Sequence, residues 1–264
     1  MKIDLTGKTA VVTGSTQGIG RAIAAGLAES GARTVVNGRT RESVDAAIAR
    51  IRADVPDADL VGVVADVTVP EGVATMRGAV PEADILVNSV GIFEPEDFFD
   101  ITDDTWYRFF TVNVMSGIRM SREYLPGMYG RGWGRVVFLS SESALQIPPE
   151  MMHYGMTKTA QLALSRGLAE RSAGTGVTVN AVLPGPTASE GVTDFVAKLN
   201  PGDERSPEEQ LDAFVREHRS TQLLRRAATP AEVANLVVYL ASEQASATTG
   251  SALSVDGGTR RAIF

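Results

Sequence analysis

TAVVTGSTQGIG, residues 9–20, leads from a short apolar run through a glycine-rich turn into a helical pattern. The run TAVVT (9–13) is apolar on both faces, as strands are in a parallel sheet that helices cover. The turn carries Gly14, Gly18 and Gly20 in the spacing GxxxGxG. Such a turn lets the backbone approach a diphosphate, whose charge then faces the helix N-terminus. The stretch favours a dinucleotide site over the alternative, a simple tight turn.

The same alternation of strand and helix continues along the chain. Further strands are predicted at 33–37, 60–65, 84–88, 135–140, 177–183 and 252–255. Helices are predicted at 19–30, 40–53, 70–79, 102–129 and 154–172, and from Pro230 to about 241. This order predicts an α/β fold, a Rossmann-type doubly wound parallel β-sheet of about seven strands with helices on both faces.

Residues 184–228 are the irregular part of the chain. They hold PGPTASEG, a polar stretch and a charged helix between the last two predicted strands. A long excursion from a compact sheet often forms a lid over a functional site. We therefore expect a substrate-loop insertion within a single domain that spans residues 1–264, with a solvated surface insertion as the alternative.

The composition excludes several classes of protein. A net charge of -7 and a pI near 5.0 argue against a general nucleic-acid surface, which needs clustered Lys and Arg. The absence of Cys excludes disulfides and thiolate chemistry, and the presence of only two His argues against a metal site. Neither a signal peptide nor an apolar run of about 18 residues is found, so no membrane contact and a cytoplasmic location are expected.

Polar residues and a glycine follow the third and fourth predicted strands. Sheets of this type bind their ligand outside the carboxyl ends of the strands. Asp66, after the third strand, could accept a hydrogen bond from an adenine amino group, and Gly91 would let the backbone close on a ribose beside Asn88. The alternative for Asp66 and Asn88 is the capping of a loop.

The end of the second strand bears on which dinucleotide is bound. An acid there usually accepts from the ribose hydroxyls of NAD, and an Arg usually binds the 2′-phosphate of NADP. The sequence has Asn37, Gly38 and Arg39, with no acid. It favours NADP(H) over NAD(H), unless Arg39 is only a solvated residue at the start of a helix.

Four residues near the predicted edge suit carbonyl reduction. Ser141 follows the fifth strand, and Tyr154 and Lys158 share one face of the next helix because they are at i and i+4. Asn113 lies within the preceding long helix. A free Tyr has a pKa of about 10, and an adjacent ammonium lowers it. Lys158 would thus make Tyr154 a usable acid and base, with Ser141 bound to the same substrate oxygen.

The chain resembles the short-chain dehydrogenase/reductase family from about residue 5 to 258. The motifs that carry the resemblance are TGSTQGIG (13–20), NSVG (88–91), Asn113, Ser141, YGMTK (154–158), Pro184-Gly185 and VDGG (255–258). The resemblance implies that Tyr154 transfers the proton and Lys158 binds the nicotinamide ribose. It also implies that Ser141 orients the carbonyl and Asn113 holds a water in a proton relay. Family members are commonly homotetramers that pair two long helices per subunit, so a homotetramer, or a homodimer, is expected.

The residues and the resemblance together predict the contacts with the dinucleotide. The predicted cofactor-binding residues are Gly14, Ser15, Gln17, Gly18, Ile19, Gly20, Arg39, Asp66, Val67, Asn88, Gly91, Tyr154, Lys158, Pro184, Gly185 and Thr187. Three departures from the family pattern matter. NSVG replaces NNAG, Gln17 stands where many NADP-dependent members carry a basic residue, and Thr187 stands where an aliphatic residue is usual.

The substrate is the least determined feature. A pocket for a mostly apolar, non-acidic ligand could be lined by Gln146, Ile147, Pro148, Pro149, Met151 and Met152, together with Phe195 and Leu199 of the insertion. The alternative is that these are core or interface residues. The leading hypothesis is an NAD(P)(H)-dependent oxidoreductase that acts on a small ketone or secondary alcohol. The alternatives are a 3-oxoacyl thioester reductase and a non-catalytic dinucleotide-binding sensor. A sensor would not need Asn113, Ser141, Tyr154 and Lys158 together.

Overall fold

A computed structural model describes residues 2–199 and 202–261 of the chain. The strands are β1 Thr9–Val12, β2 Arg33–Gly38, β3 Leu60–Val64, β4 Ile85–Asn88, β5 Gly134–Leu139, β6 Val177–Pro184 and β7 Ala252–Val255. The α-helices of these residues are α1 Gly18–Glu29, α2 Arg41–Asp54, α3 Pro70–Ala79, α4 Asp103–Phe110, α5 Ser116–Arg131, α6 Met152–Arg171, α7 Glu190–Leu199, α8 Pro207–His218 and α9 Pro230–Leu240.

The strands form one parallel sheet in the order β3-β2-β1-β4-β5-β6-β7. Neighbouring valines of β1 face opposite sides, so Val12 packs against α1 and α9 while Val11 packs with α3 and α5. The strands are apolar on both faces because helices cover both faces. The predicted fold is confirmed. The order reverses between β1 and β4, the point where sheets of this kind bind their ligand.

The predicted helix at 102–129 is wrong in one respect, because a π-helical turn at Thr111–Met115 separates α4 from α5. Asn113 lies at the middle of this turn. Its Oδ1 accepts a hydrogen bond from the Ile92 N–H at 2.8 Å, and its Nδ2 donates to Thr157 Oγ1 at 2.9 Å. Asn113 thus ties the segment after β4 to α6, and π-turns are frequent at functional sites.

The segment between β6 and β7 contains α7 and α8, which lie within the range 184–228 of the expected insertion. These helices share a small core of Val196, Leu211, Val215 and Ala227, separate from the two large cores on the sheet. The α8 N-terminus is closed by a capping box between Ser206 and Glu209. In the described part of the chain, none of the helices has the length and apolar character needed to cross a membrane.

Candidate active site

A cavity of ≈ 540 Å³ opens at the carboxyl edge of the sheet, between the glycine loop and the helices α7 and α8. Most of the predicted site residues line it. They are Gly14, Gln17, Gly18, Ile19, Gly20, Gly91, Ser141, Tyr154, Lys158, Pro184, Gly185 and Thr187. Residues that come from five separate parts of the sequence therefore surround one space.

The glycine loop is tight, and an asparagine of β2 holds it. A Cβ added at Gly20 would lie 2.4 Å from the Gly14 carbonyl oxygen, so a larger residue would not fit. Asn37 is buried, accepts from the Gly14 N–H at 3.2 Å and donates to the Ala65 carbonyl at 3.0 Å. The structural role of Asn37 was missed in the sequence analysis, although a buried Asn at the end of an apolar strand was a usable signal.

The loop already binds an anionic group, the carboxylate of Glu190 at the start of α7. Glu190 Oε2 accepts from the Gly18 N–H at 2.8 Å, and Oε1 lies 2.7 Å from Arg21 Nη1. Burial opposes this charge, but hydrogen bonds from the Glu190 and Gly18 N–H groups and the charge of Arg21 hold the pKa of the carboxyl below its ordinary value. Diphosphate oxygens have the same acceptor chemistry, so the loop fits a dinucleotide.

Two other predicted cofactor residues are held in place by local hydrogen bonds. Ser15 Oγ donates to the Val12 carbonyl at 2.7 Å and accepts from the Asn37 N–H at 2.9 Å. Asp66 Oδ1 accepts from the N–H and the hydroxyl of Thr68, which is the loop-capping alternative. Neither side chain lines the cavity.

The remaining predicted cofactor residues lie outside the cavity wall. Arg39 is exposed just beyond β2, and Val67 is buried in the core. Asn88 is buried at the end of β4, where its Nδ2 donates to Ser121 Oγ at 3.4 Å. Among the described residues, Asn88 Oδ1 has no hydrogen-bond partner, so an acceptor is available at this strand end.

Ser141 is placed between backbone and carboxylate groups. Its Oγ accepts from the Ser143 N–H at 3.1 Å and donates to Glu142 Oε2 at 2.7 Å. The other carboxylate oxygen of Glu142 accepts from Arg219 Nε at 3.0 Å, at the end of α8. Glu142 and Arg219 line the cavity, and neither was identified in the sequence analysis. The available signal was an acidic residue directly after the strand-end serines.

Tyr154 and Lys158 lie on one face of α6, with Lys158 Nζ 5.6 Å from the Tyr154 ring centroid. Burial raises the pKa of the Tyr154 phenol, and the neighbouring Ser141 hydroxyl acts in the opposite direction. Burial lowers the pKa of Lys158 to about 7. The expected lowering of the Tyr154 pKa is therefore not what this structure gives, since both groups are desolvated and burial opposes both charges.

Gln161, one turn after Lys158, connects two of the predicted catalytic residues. Lys158 Nζ donates to Gln161 Oε1 at 3.3 Å and to the Leu139 carbonyl at 2.8 Å. Gln161 Nε2 donates to the Asn113 carbonyl at 2.6 Å. The side chain thus spans the gap between Lys158 and Asn113, where the family resemblance implied a water. A buried Gln on the same helix face as Lys158 could have indicated this contact.

Aromatic rings close the outer side of the cavity. Phe93 packs edge-on against Tyr154 at 6.2 Å between ring centroids and against Phe195 at 5.9 Å, and Phe195 contacts Phe214 at 6.0 Å. Phe195, which was predicted to line the substrate pocket, lines this cavity. The side chain of Leu199, predicted with it, lies outside the described residues.

The glycine loop at the β1–β4 switch point and the Ser–Tyr–Lys set beside it define a class, the dinucleotide-dependent oxidoreductases with a Rossmann-type sheet. A family model described as enoyl-(acyl carrier protein) reductase matches residues 14–260. The chain belongs to the short-chain dehydrogenase/reductase family, as the sequence motifs predicted. It is an enzyme that acts on CH–OH or C=O groups.

Similar proteins of known sequence or structure agree with this assignment. The uncharacterized oxidoreductase YvaG of Bacillus subtilis is 47% identical over 264 residues, which is 100% of each chain. Dehydrogenase/reductase SDR family member 4 of Homo sapiens is 34% identical and matches 97% of this chain and 88% of its own. L-sorbose reductase of Gluconobacter frateurii, solved with NADPH and L-sorbose, has a TM-score of 0.92 at 31% identity and 100% coverage of both chains.

Proposed function

We propose that the protein transfers a hydride between a nicotinamide cofactor and a small ketone or secondary alcohol, with Tyr154 as the acid and base. One observation carries this proposal. Tyr154, Ser141 and Lys158 line a cavity that continues to a glycine loop whose Gly18 N–H already binds a carboxylate. An oxygen that gains charge in the cavity would thus lie beside proton donors, and the dinucleotide would lie along the loop.

The chain's own residues have separate tasks in this reaction. When bound, the nicotinamide supplies or accepts the hydride. In reduction, the Tyr154 hydroxyl donates its proton to the oxygen that was the carbonyl, and Ser141 hydrogen-bonds the same oxygen. Lys158 lines the cavity and binds the ribose, and Gly91 leaves room beside it, since a Cβ at Gly91 would lie 3.3 Å from Lys158 Nζ. The aromatic rings of Phe93 and Phe195 exclude water from the reacting atoms.

NADP(H) is the proposed cofactor. Arg39 is exposed at the end of β2, where its guanidinium can reach a 2′-phosphate, and no acid lies beside it in Asn37 or Gly38. The NADPH held by the similar L-sorbose reductase supports this choice. Gln17, which lines the cavity, adds no positive charge and keeps the preference small.

A 3-oxoacyl thioester reductase is the second candidate, favoured by the similarity of the chain to a solved putative betaketoacyl-ACP reductase, at 35% identity and a TM-score of 0.83. A panel of ketones, sugars and 3-oxoacyl thioesters, assayed with NADPH and NADH, separates it from the first. L-sorbose, the ligand of the similar reductase, is a ketone with neighbouring hydroxyls and belongs in the panel.

The test of the proposed chemistry is Tyr154→Phe. Loss of the phenolic oxygen should abolish turnover, because no other group in the cavity can replace the proton donor at the same position. NADPH binding, followed by fluorescence, should stay within a few-fold of wild type because the aromatic ring remains. Turnover of the variant close to that of wild type would contradict the role of Tyr154.

A further inference from the structure

The cavity wall contains a buried ion pair that the proposed chemistry does not use. Glu142 and Arg219 have side chains that are 6% and 14% exposed, and they meet at 3.0 Å. Glu142 follows Ser141 directly, while Arg219 ends α8 in the insertion. Both line the cavity beside Tyr154.

Stability alone is a weak reason for this pair. Taking two charges out of water costs about as much as their attraction returns, and well-packed apolar residues can replace a buried pair without loss. The pair also places a negative charge near the phenol that is to donate a proton. A substrate with a polar group that binds to this pair would explain why the pair lies in the cavity wall.

The hydrogen bonds of Ser141 point to which polar group this is. A hydroxyl carries one proton, and Ser141 gives that proton to Glu142 Oε2 at 2.7 Å. Its oxygen also accepts from the Ser143 N–H at 3.1 Å, which fixes its position. Ser141 therefore cannot donate to a carbonyl oxygen while it donates to Glu142. A plain ketone offers no donor that could replace Ser141 on the carboxylate.

We propose that Glu142 is a specificity-determining residue that accepts a hydrogen bond from a substrate hydroxyl on the carbon next to the reacting carbonyl. The substrate class is then the α-hydroxyketones and, in the oxidation direction, the vicinal diols. This inference rests on the proposed function. The substrate hydroxyl takes the place of Ser141 on Glu142, and the Ser141 proton turns to the carbonyl oxygen. Every donor and acceptor in the set is again paired.

The geometry and the charges suit this arrangement. Neighbouring oxygens on adjacent carbons lie about as far apart as hydrogen-bonded oxygens, and Ser141 Oγ and Glu142 Oε2 are 2.7 Å apart. Ser141 Oγ can therefore bind the carbonyl oxygen of the substrate while Glu142 Oε2 binds the neighbouring hydroxyl. Arg219 balances the charge of Glu142 and fixes its second oxygen, so that Oε2 is the one presented to the cavity.

The experiment compares kcat/KM with NADPH for 3-hydroxybutan-2-one and butan-2-one, which differ only in the neighbouring hydroxyl. Wild type should prefer the hydroxyketone by about ten- to hundredfold, the range for a hydrogen bond to a charged group. Glu142→Gln should reduce this ratio at least about fivefold, and Glu142→Asp, which keeps the carboxylate, should reduce it less. A ratio measured on one preparation is insensitive to partial loss of folded protein.

Glu150→Gln is the matched control, because it removes the same charge from another side chain of the cavity wall and should leave the ratio unchanged. A wild type that reduces butan-2-one as well as its hydroxyketone would overturn the inference, and this holds whether or not the variants fold. An equal drop of the ratio in Glu150→Gln would also overturn it. Failure of the proposed function looks different, since then no carbonyl compound of any class would oxidise NADPH.

Discussion

Lys158 and Tyr154 are two ionisable groups for which burial works against the charged form. Lys158 is 5% exposed, and its ammonium is held by the Leu139 carbonyl and Gln161. Those two contacts keep the amine directed into the cavity while its pKa falls from its ordinary value of 10.5 to about 7. The amine is thus held where the proposed function places the ribose, at a cost to the stability of the fold.

Lys158→Met should therefore raise Tm, with the largest gain at low pH. Below pH 7 the folded wild type carries a buried ammonium, so the destabilisation is fully present. Between about pH 7 and 10.5 the unfolded chain still binds the proton while the folded chain has lost it, so the stability of wild type rises and the gain shrinks. Each kcal/mol is worth roughly 2–4 °C for a chain of this size.

Thermal unfolding at pH 6, 8 and 10, without added nucleotide, measures this effect. Lys198→Met is the control, because Lys198 is exposed on α7 and its removal should change Tm little at any pH. A gain for Lys158→Met that is the same at all three pH values would show that burial of the charge is not its cause.

Arg39→Leu tests the cofactor preference with a single change. The Kd of NADPH should rise about tenfold because one charge-assisted contact with the 2′-phosphate is lost, while the Kd of NADH stays the same. An acid at Gly38 would be a poorer test, since a Cβ there would lie 2.4 Å from Thr16 Cγ2. Arg41→Leu, an exposed neighbour, is the control. An equal effect on both cofactors would refute a specific phosphate contact.

Residues whose role depends on a local motif could be predicted from the sequence, and those whose role depends on a distant partner could not. Short motifs of fixed spacing contain Gly18, Tyr154 and Lys158, and all three residues line the cavity. The contact of Glu142 with Arg219 joins residues 77 apart in sequence, so nothing near either one indicates the other. The predicted lowering of the Tyr154 pKa by Lys158 is not found for a related reason. The i, i+4 spacing places both side chains on one helix face, but it does not show that both are buried.

At the level of elements, α7 approaches the glycine loop through one side chain. Glu190 occupies the Gly18 N–H, which the diphosphate would also use, so the dinucleotide and Glu190 compete. The Glu190 carboxylate is held in place by Arg21 and also by Arg50, whose Nη1 lies 3.8 Å from Glu190 Oε1. Binding of the cofactor should therefore displace the start of α7 and free Arg21 for the phosphates.

Glu190→Gln should tighten NADPH binding by about two- to fivefold, because an anion at a helix N-terminus is worth roughly 0.3–1 kcal/mol and the variant gives up that charge. Fluorescence titration of the enzyme with NADPH measures it. Asp194→Asn removes the same charge from an exposed position on the same helix and should have a smaller effect. A Kd that is unchanged or higher in Glu190→Gln would contradict the competition.

The π-helical turn between α4 and α5 is a feature that the sequence pattern does not predict. The helical pattern at 102–129 continues through residues 111–115, and Asn113 alone does not predict a break. The π-turn depends on the contacts of Asn113 with Ile92, Thr157 and Gln161, which come from two other segments. Local propensity cannot supply such contacts, whereas the strand positions follow from their own apolar runs.

At the level of the whole molecule, the parallel sheet brings the glycine loop, Ser141 and the end of β6 to one edge, and the insertion covers that edge. The face around α4 has a different character, and its exposed aromatic residues do not line the cavity. Its exposed aromatic side chains include Phe99 at 91% and Tyr107 at 70%, with Phe98 packed against Phe99. Exposed apolar patches of this kind usually mark contact surfaces.

We predict that a second copy of the chain covers this aromatic face in solution, in keeping with the expected homotetramer or homodimer. Phe99→Glu combined with Tyr107→Glu should lower the oligomeric state, because each substitution places a charge in an apolar contact. Size-exclusion chromatography with light scattering measures the mass as a multiple of 28.0 kDa.

Ala46→Glu adds a charge to the exposed side of α2 and should leave the mass unchanged. NADPH binding should survive in the double variant, because neither residue lines the cavity. A monomeric wild type, or a double variant with the wild-type mass, would show that the aromatic face is not the contact between copies.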